Sequence, residues 1–238
     1  MSLPPVRDLV NVFELEAAAQ TVLSPALFAE LASHAAERRA FDRITFRPRL
    51  MRNVTALDLS VELFGEKHFT PILVGPIARP ERFHANGAAA LRAGAEAGQA
   101  RLVHAATGEG WVALEPGAAA IPPGARVVVV RGSDLHRVRR LTKLPIVVKG
   151  ILSAADARLA AERGANGIIV SGYGTGEALS SLEALPAIAD AVGSRVTLLA
   201  DGGFRRGTDI AKALALGARA VLGGRPAVWG LAAYGAEG

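Results

Sequence analysis

The sequence predicts a (β/α)8 TIM barrel, and three observations lead there. Eight short apolar runs recur from residue 71 onward, most of them separated by Ala-rich amphipathic stretches. Half of the residues are hydrophobic and only 21% are charged, which for 238 residues requires a large buried core. Glycines and charged residues stand at the ends of consecutive runs, in VVKG, VSGYG, ADGG and GGRP. Continuously apolar strands alternating with helices mean a parallel sheet covered on both faces, and ligand residues spread over successive strand ends are what a barrel rim produces. A doubly wound open sheet is the alternative topology.

Taken in order, residues 1–50 form an N-terminal helical extension of a single domain, 1–238. Residues 8–37 place apolar side chains at helical spacing, and Pro25 after Ser24 opens a second helix. Candidate strands fall at 71–75, 101–105, 111–115, 126–130, 146–149, 167–171, 196–200 and 220–223. Between the third and fourth, EPGAAAIPPG is too short and too proline-rich for a full crossover helix, so the barrel is expected to be shortened in its middle strands and loops.

Composition narrows the function. No cysteine is present, which excludes disulfides, thiolate metal sites and cysteine nucleophiles. The net charge of +5 comes from arginines interspersed with acids, without a basic run carrying aromatics, so an anionic small ligand is expected rather than nucleic acid. No long apolar window and no basic leader segment occurs, so no membrane partner and a cytoplasmic location are expected. His34, His68, His84 and His136 have no metal-ligand spacing.

The last two strand ends carry the strongest chemical signal. Gly202, Gly203 and Arg205 follow the seventh strand, and Gly224 and Arg225 follow the eighth. Backbone amides, a helix N-terminus and a cation in that place make a phosphate site. Asp201 carries the wrong charge for a phosphate but suits sugar or ribityl hydroxyls. Lys149 ends the fifth strand as a cation aimed at the same mouth. The alternative is that Arg205 and Arg206 merely solvate a helix start and that Lys149 makes a barrel-mouth salt bridge.

The segments LPIVVKGI, GIIVSGYG and LLADGGFRRGTDIAKALALGARAVLGGRP resemble the FMN-dependent α-hydroxy-acid oxidase and dehydrogenase family, the group of glycolate oxidase, lactate oxidase and mandelate dehydrogenase. AFDRITFRPRLMRNV and PILVGPIA are similar to the stretch that leads into that family's first barrel strand. The resemblance spans roughly residues 8–105 and 141–238. It implies FMN as cofactor, with backbone from Pro76, Ile77 and Ala78 against the flavin ring and Lys149 beside its N1 and O2. It places Ser171 near the flavin's inner edge, Asp201 on the ribityl chain, and Arg205, Gly224 and Arg225 on the phosphate. A homo-oligomer is the expected assembly.

The substrate half of the family pattern is altered. Members carry Ser-Asn-His-Gly-Gly-Arg after the sixth strand, where this chain reads Ser171-Gly172-Tyr173-Gly174-Thr175-Gly176. A tyrosine with a pKa of about 10 is a poorer proton acceptor at neutral pH than a histidine of about 6.5. In the register of the resemblance, Ala113 and Glu115 replace the usual glutamine and tyrosine, and Arg131 replaces an aspartate. His104 ends the second strand and is the new candidate base, with Glu115, Arg131 and Tyr173 completing a replacement constellation. A structural role is the alternative for His104, and solvent exposure is the alternative for Glu115 and Arg131. The expected function is therefore an FMN-dependent oxidoreductase with a non-standard small-molecule or carrier-bound substrate. An FMN-binding subunit without catalysis is the alternative, and SGYGTG followed by SLEAL is also slightly similar to flavin-dependent type 2 isopentenyl diphosphate isomerases.

Overall fold

The computed structural model describes residues 3–32, 35–47, 55–105, 108–172 and 179–238. Three helices come first: α1 (Val12–Val22), α2 (Pro25–Ala32) and α3 (Ala35–Asp42). The Asn11 side chain caps α1 by accepting the Phe13 amide, and Pro25 opens α2. The extension is not a loose arm. Phe41 of α3 is buried in the same apolar cluster as the barrel's outer wall and meets the Phe204 ring edge-on at 5.2 Å.

Next comes an antiparallel hairpin, β1 (Val61–Leu63) with β2 (Glu66–His68). Its two turn residues, Phe64 and Gly65, both have positive φ, as the tight hairpin turn requires. This hairpin is absent from the expected elements. It packs Val61 and Leu63 into the barrel's interior cluster and so closes one end of it. Glu66 anchors the closure: its carboxylate accepts Trp111 Nε1 at 3.2 Å and lies 3.2 Å from Arg101 and 2.8 Å from Arg126.

Eight parallel strands then form a closed barrel: β3 (Ile72–Val74), β4 (Arg101–Ala105), β5 (Gly110–Ala113), β6 (Ala125–Arg131), β7 (Ile146–Ile151), β8 (Gly167–Val170), β9 (Thr197–Asp201) and β10 (Ala220–Gly223). The seam is made by β10 against β3, where Val221 partners Ile72. Each expected strand is present, 101–105 and 220–223 with the expected ends and the other six with an end moved by a residue or two. Side chains alternate between two cores: Leu73, Val103, Trp111, Val129, Ile169 and Leu199 fill the interior, while Val128, Val130, Ile146, Ile168 and Val170 face the helices.

The helical layer consists of α4 (Gly87–Ala97) after β3, α5 (Leu135–Leu141) after β6, α6 (Ala154–Glu162) after β7, α7 (Ser181–Val192) after β8, α8 (Gly207–Ala215) after β9 and α9 (Arg225–Tyr234) after β10. Among the described residues, no helix follows β4 or β5. The shortening thus falls on the helical layer, and the sheet itself is complete. No helix among the described residues is long and apolar enough to cross a membrane.

Candidate functional site

A cavity of about 510 Å³ opens at the C-terminal ends of the barrel strands. Its charged lining includes Arg79, Arg82, Arg131, Lys149, Arg205 and Arg225 against Glu30, Glu115 and Asp201. Cations outnumber acids, so the cavity favours an anionic ligand.

One end is built by the turns after β9 and β10. Gly202 and Gly203 take φ of 121° and 76°, a backbone that side-chain-bearing residues rarely adopt, and this turns the chain sharply into Arg205. The Arg205 guanidinium lies 4.5 Å from the Trp229 ring centre and donates to the Phe204 carbonyl at 2.8 Å, which holds it at the rim. Gly223, Gly224 and Arg225 complete the pocket as α9 begins with Pro226 in its first turn. A Cβ added to Gly223 or Gly224 would meet no atom within 4 Å, so both glycines face open space beside a helix N-terminus and two arginines. That cradle fits a phosphate.

The loop's rigidity comes from residues that sequence reasoning missed. Asp209, in the first turn of α8, is buried and accepts the backbone amides of Arg205 and Arg206 at 2.9 and 3.0 Å. Arg38 of α3 donates to the same carboxylate at 2.5 Å and to the Gly203 carbonyl at 2.7 Å. An acid two residues after Gly207 is a readable capping signal, whereas nothing local marks Arg38.

At the other end, Lys149 projects from β7 into the barrel mouth. Its Nζ donates to Ser171 Oγ at 3.1 Å and pairs with the Asp201 carboxylate. The barrel-mouth salt bridge is thus formed, and it sits within the cavity lining. Ser171 is fully buried and meets the cavity through Lys149. Pro76, Ile77 and Ala78 line the wall after β3. A missed ion pair closes the near side, with Arg82 Nη2 lying 2.8 and 2.9 Å from the two oxygens of Glu30 on α2.

Glu115 and Arg131 line the cavity as expected, and Tyr173 lies outside the described residues. His104 is a correction. Val103 faces the interior, so strand alternation turns His104 to the barrel's outer wall, away from the mouth. There it lies beneath Gly108, where an added Cβ would come within 2.6 Å of the imidazole Cγ. Burial, together with the positive charges of Arg92 and Arg101, lowers its pKa. The half-buried imidazole is not among the residues that line the cavity.

Residues 17–110 and 126–238 match the family model described as FMN-dependent dehydrogenase. The unmatched interval holds most of β5 and its helix-free connection to β6. An L-lactate oxidase of Nostoc sp. is 31% identical over 96% of this chain and 89% of its own length, and the glycolate oxidase of Spinacia oleracea is 30% identical over 97% and 87%. The first of these alignments runs over 324 positions, more than the chain's 238 residues, so that relative carries insertions this chain lacks. Human 2-hydroxyacid oxidase 1 is 52% identical over a shorter stretch, 44% of this chain and 29% of its own. Among solved structures, mandelate oxidase with (S)-4-hydroxymandelic acid superposes with a TM-score of 0.85 at 27% identity, covering 96% of this chain and 89% of that one.

Proposed function

This chain belongs to the FMN-dependent dehydrogenase family and is an FMN-dependent oxidoreductase, and from that premise we propose that its substrate is not a simple 2-hydroxy acid. The observation that carries this reading is the lining of the mouth. Glu115 and Arg131 stand there, and no described histidine does.

In this reading Gly202, Gly203, Arg205, Gly224 and Arg225 hold the FMN phosphate, and Asp201 accepts from the ribityl hydroxyls. Pro76, Ile77 and Ala78 bound one face of the ring site. When bound, FMN supplies the two-electron acceptor. Lys149, fixed by Ser171 and Asp201, keeps a positive charge beside that acceptor, where added negative charge is stabilised. Glu30 and Arg82 pair at the cavity wall. Tyr173, adjoining the mouth in sequence, supplies a hydrogen-bond donor rather than a base, because its proton is held too firmly at neutral pH. The helix-free connections after β4 and β5 leave room for a bulky or carrier-bound substrate.

Anaerobic mixing of the FMN-loaded protein with glycolate, lactate or mandelate tests the reading through the visible flavin band. The band is expected to persist, and rapid bleaching by any of the three overturns the substrate assignment. The same missing helices favour one second reading, an FMN-binding subunit completed by a partner or by another copy of itself. Turnover of any substrate by the isolated monomer rejects that alternative.

A further inference from the structure

Glu115 and Arg131 stand side by side without pairing. Ala113 of β5 and Val129 of β6 are register partners, and both pack toward the barrel interior. The ladder continues past the strand end, where the Leu114 amide donates to the Val129 carbonyl at 2.9 Å. Two residues further along each chain, Glu115 and Arg131 therefore occupy the same inward-facing row, and both line the cavity. Arg131 is also the register partner of Lys149 on β7.

Several neighbouring charges in the cavity are engaged. Lys149 is held by Asp201, Arg82 by Glu30, and Arg205 by Trp229 and the Phe204 carbonyl. Glu115 and Arg131 make no ion pair within 4.0 Å and no side-chain hydrogen bond among the described residues, and both are exposed.

We propose that Glu115 and Arg131 form a recognition pair for a zwitterion, a ligand carrying a cationic nitrogen beside a carboxylate, of which an α-amino acid is the simplest form. This rests on the reading that simple 2-hydroxy acids are not the substrate. A carboxylate alone would suit the Arg131 fork but would be repelled by Glu115. A cation alone would suit Glu115 but would face Arg131 and Lys149. A ligand with both charges neutralises both side chains at once, and that difference is the specificity.

The test is anaerobic titration calorimetry of the FMN-loaded protein with matched probes: alanine and phenylalanine, lactate and phenyllactate, ethylamine and phenethylamine. At least one amino acid is expected to bind about tenfold or more tighter than both of its singly charged counterparts. Glu115→Gln should erase the advantage over the hydroxy acid, and Arg131→Met the advantage over the amine. Retention of the bound-flavin spectrum confirms that each variant is folded. Equal or tighter binding of the hydroxy acids, amino-acid affinity unchanged in both variants, or no binding of any probe overturns the pair. Bleaching of the flavin by lactate or phenyllactate is a separate signal that overturns the substrate reading beneath it.

Discussion

The contact between Arg38 and Asp209 ties the N-terminal extension to the phosphate loop, and Arg38→Met is expected to loosen both. The Asp209 side chain is only 3% exposed, and Arg38 is its one charged partner among the described ion pairs. Removing one member of a buried pair costs about 3–5 kcal/mol when the other is left bare. Two backbone amides still serve the Asp209 carboxylate, and Arg38 is 27% exposed, so the expected loss is smaller, about 2–3 kcal/mol. For a chain of this size that lowers the melting temperature by about 4–12 °C. The Gly203 carbonyl also loses its partner, so the phosphate loop is held less rigidly and FMN should dissociate about tenfold more readily. Thermal unfolding with and without FMN, together with fluorescence of released flavin, reads both effects. A double-mutant cycle with Asp209→Asn isolates the pair and should give a coupling of about 2 kcal/mol. A coupling below about 0.5 kcal/mol with unchanged FMN affinity would refute the argument.

Three further outcomes follow from the site. Arg205→Ala and Arg225→Ala should each weaken FMN binding by about 10-fold to 100-fold in fluorescence titrations, and unchanged affinity in both would remove the phosphate from this cradle. His104→Ala should keep FMN and the turnover of whatever substrate is found, since the imidazole lies on the outer wall; loss of turnover with flavin retained would put it back in the mouth. His68 and His104 both have pKa values lowered chiefly by burial, so the unfolded chain takes up their protons first. Their contribution to stability is complete above about pH 6.5 and falls as pH drops from there toward the folded values, and urea unfolding should show a flatter decline in His68→Gln.

The barrel was legible because strands buried on both faces are written as unbroken apolar runs, and VVVV or GIIV can be little else between turn signals. The same property hid the direction of His104. In RLVHA neither neighbour is polar enough to show which face turns inward, and the candidate base went to the wrong wall. The hairpin was missed because two strands of three residues give too little alternation to separate from a loop. The glycine–arginine lining of the cavity was readable because each of its two clusters, 202–205 and 223–225, is contiguous in the chain and precedes a helix. The Arg38–Asp209 latch was not, since its members lie 171 residues apart and meet only once α3 docks on the barrel.

The helix-free connections after β4 and β5 also bear on how the molecule assembles. Loop-closure entropy grows with the length of chain enclosed, so β4, β5 and β6, joined by short links, can pair while the rest is still searching. The seam is the opposite case: β3 must wait for β10, the barrel's last strand in chain order, before the cylinder exists. The strand that shuts the cylinder is also the one that finishes the cradle, since the Gly75 amide reaches the Gly223 carbonyl at 3.0 Å in that seam. A phosphate-bearing ligand that binds the closed form alone favours closure by mass action. In the proposed reading, in which the cradle holds the FMN phosphate, FMN acts as a clasp on the closing of the seam, and cells short of flavin should accumulate the chain with its seam unfastened.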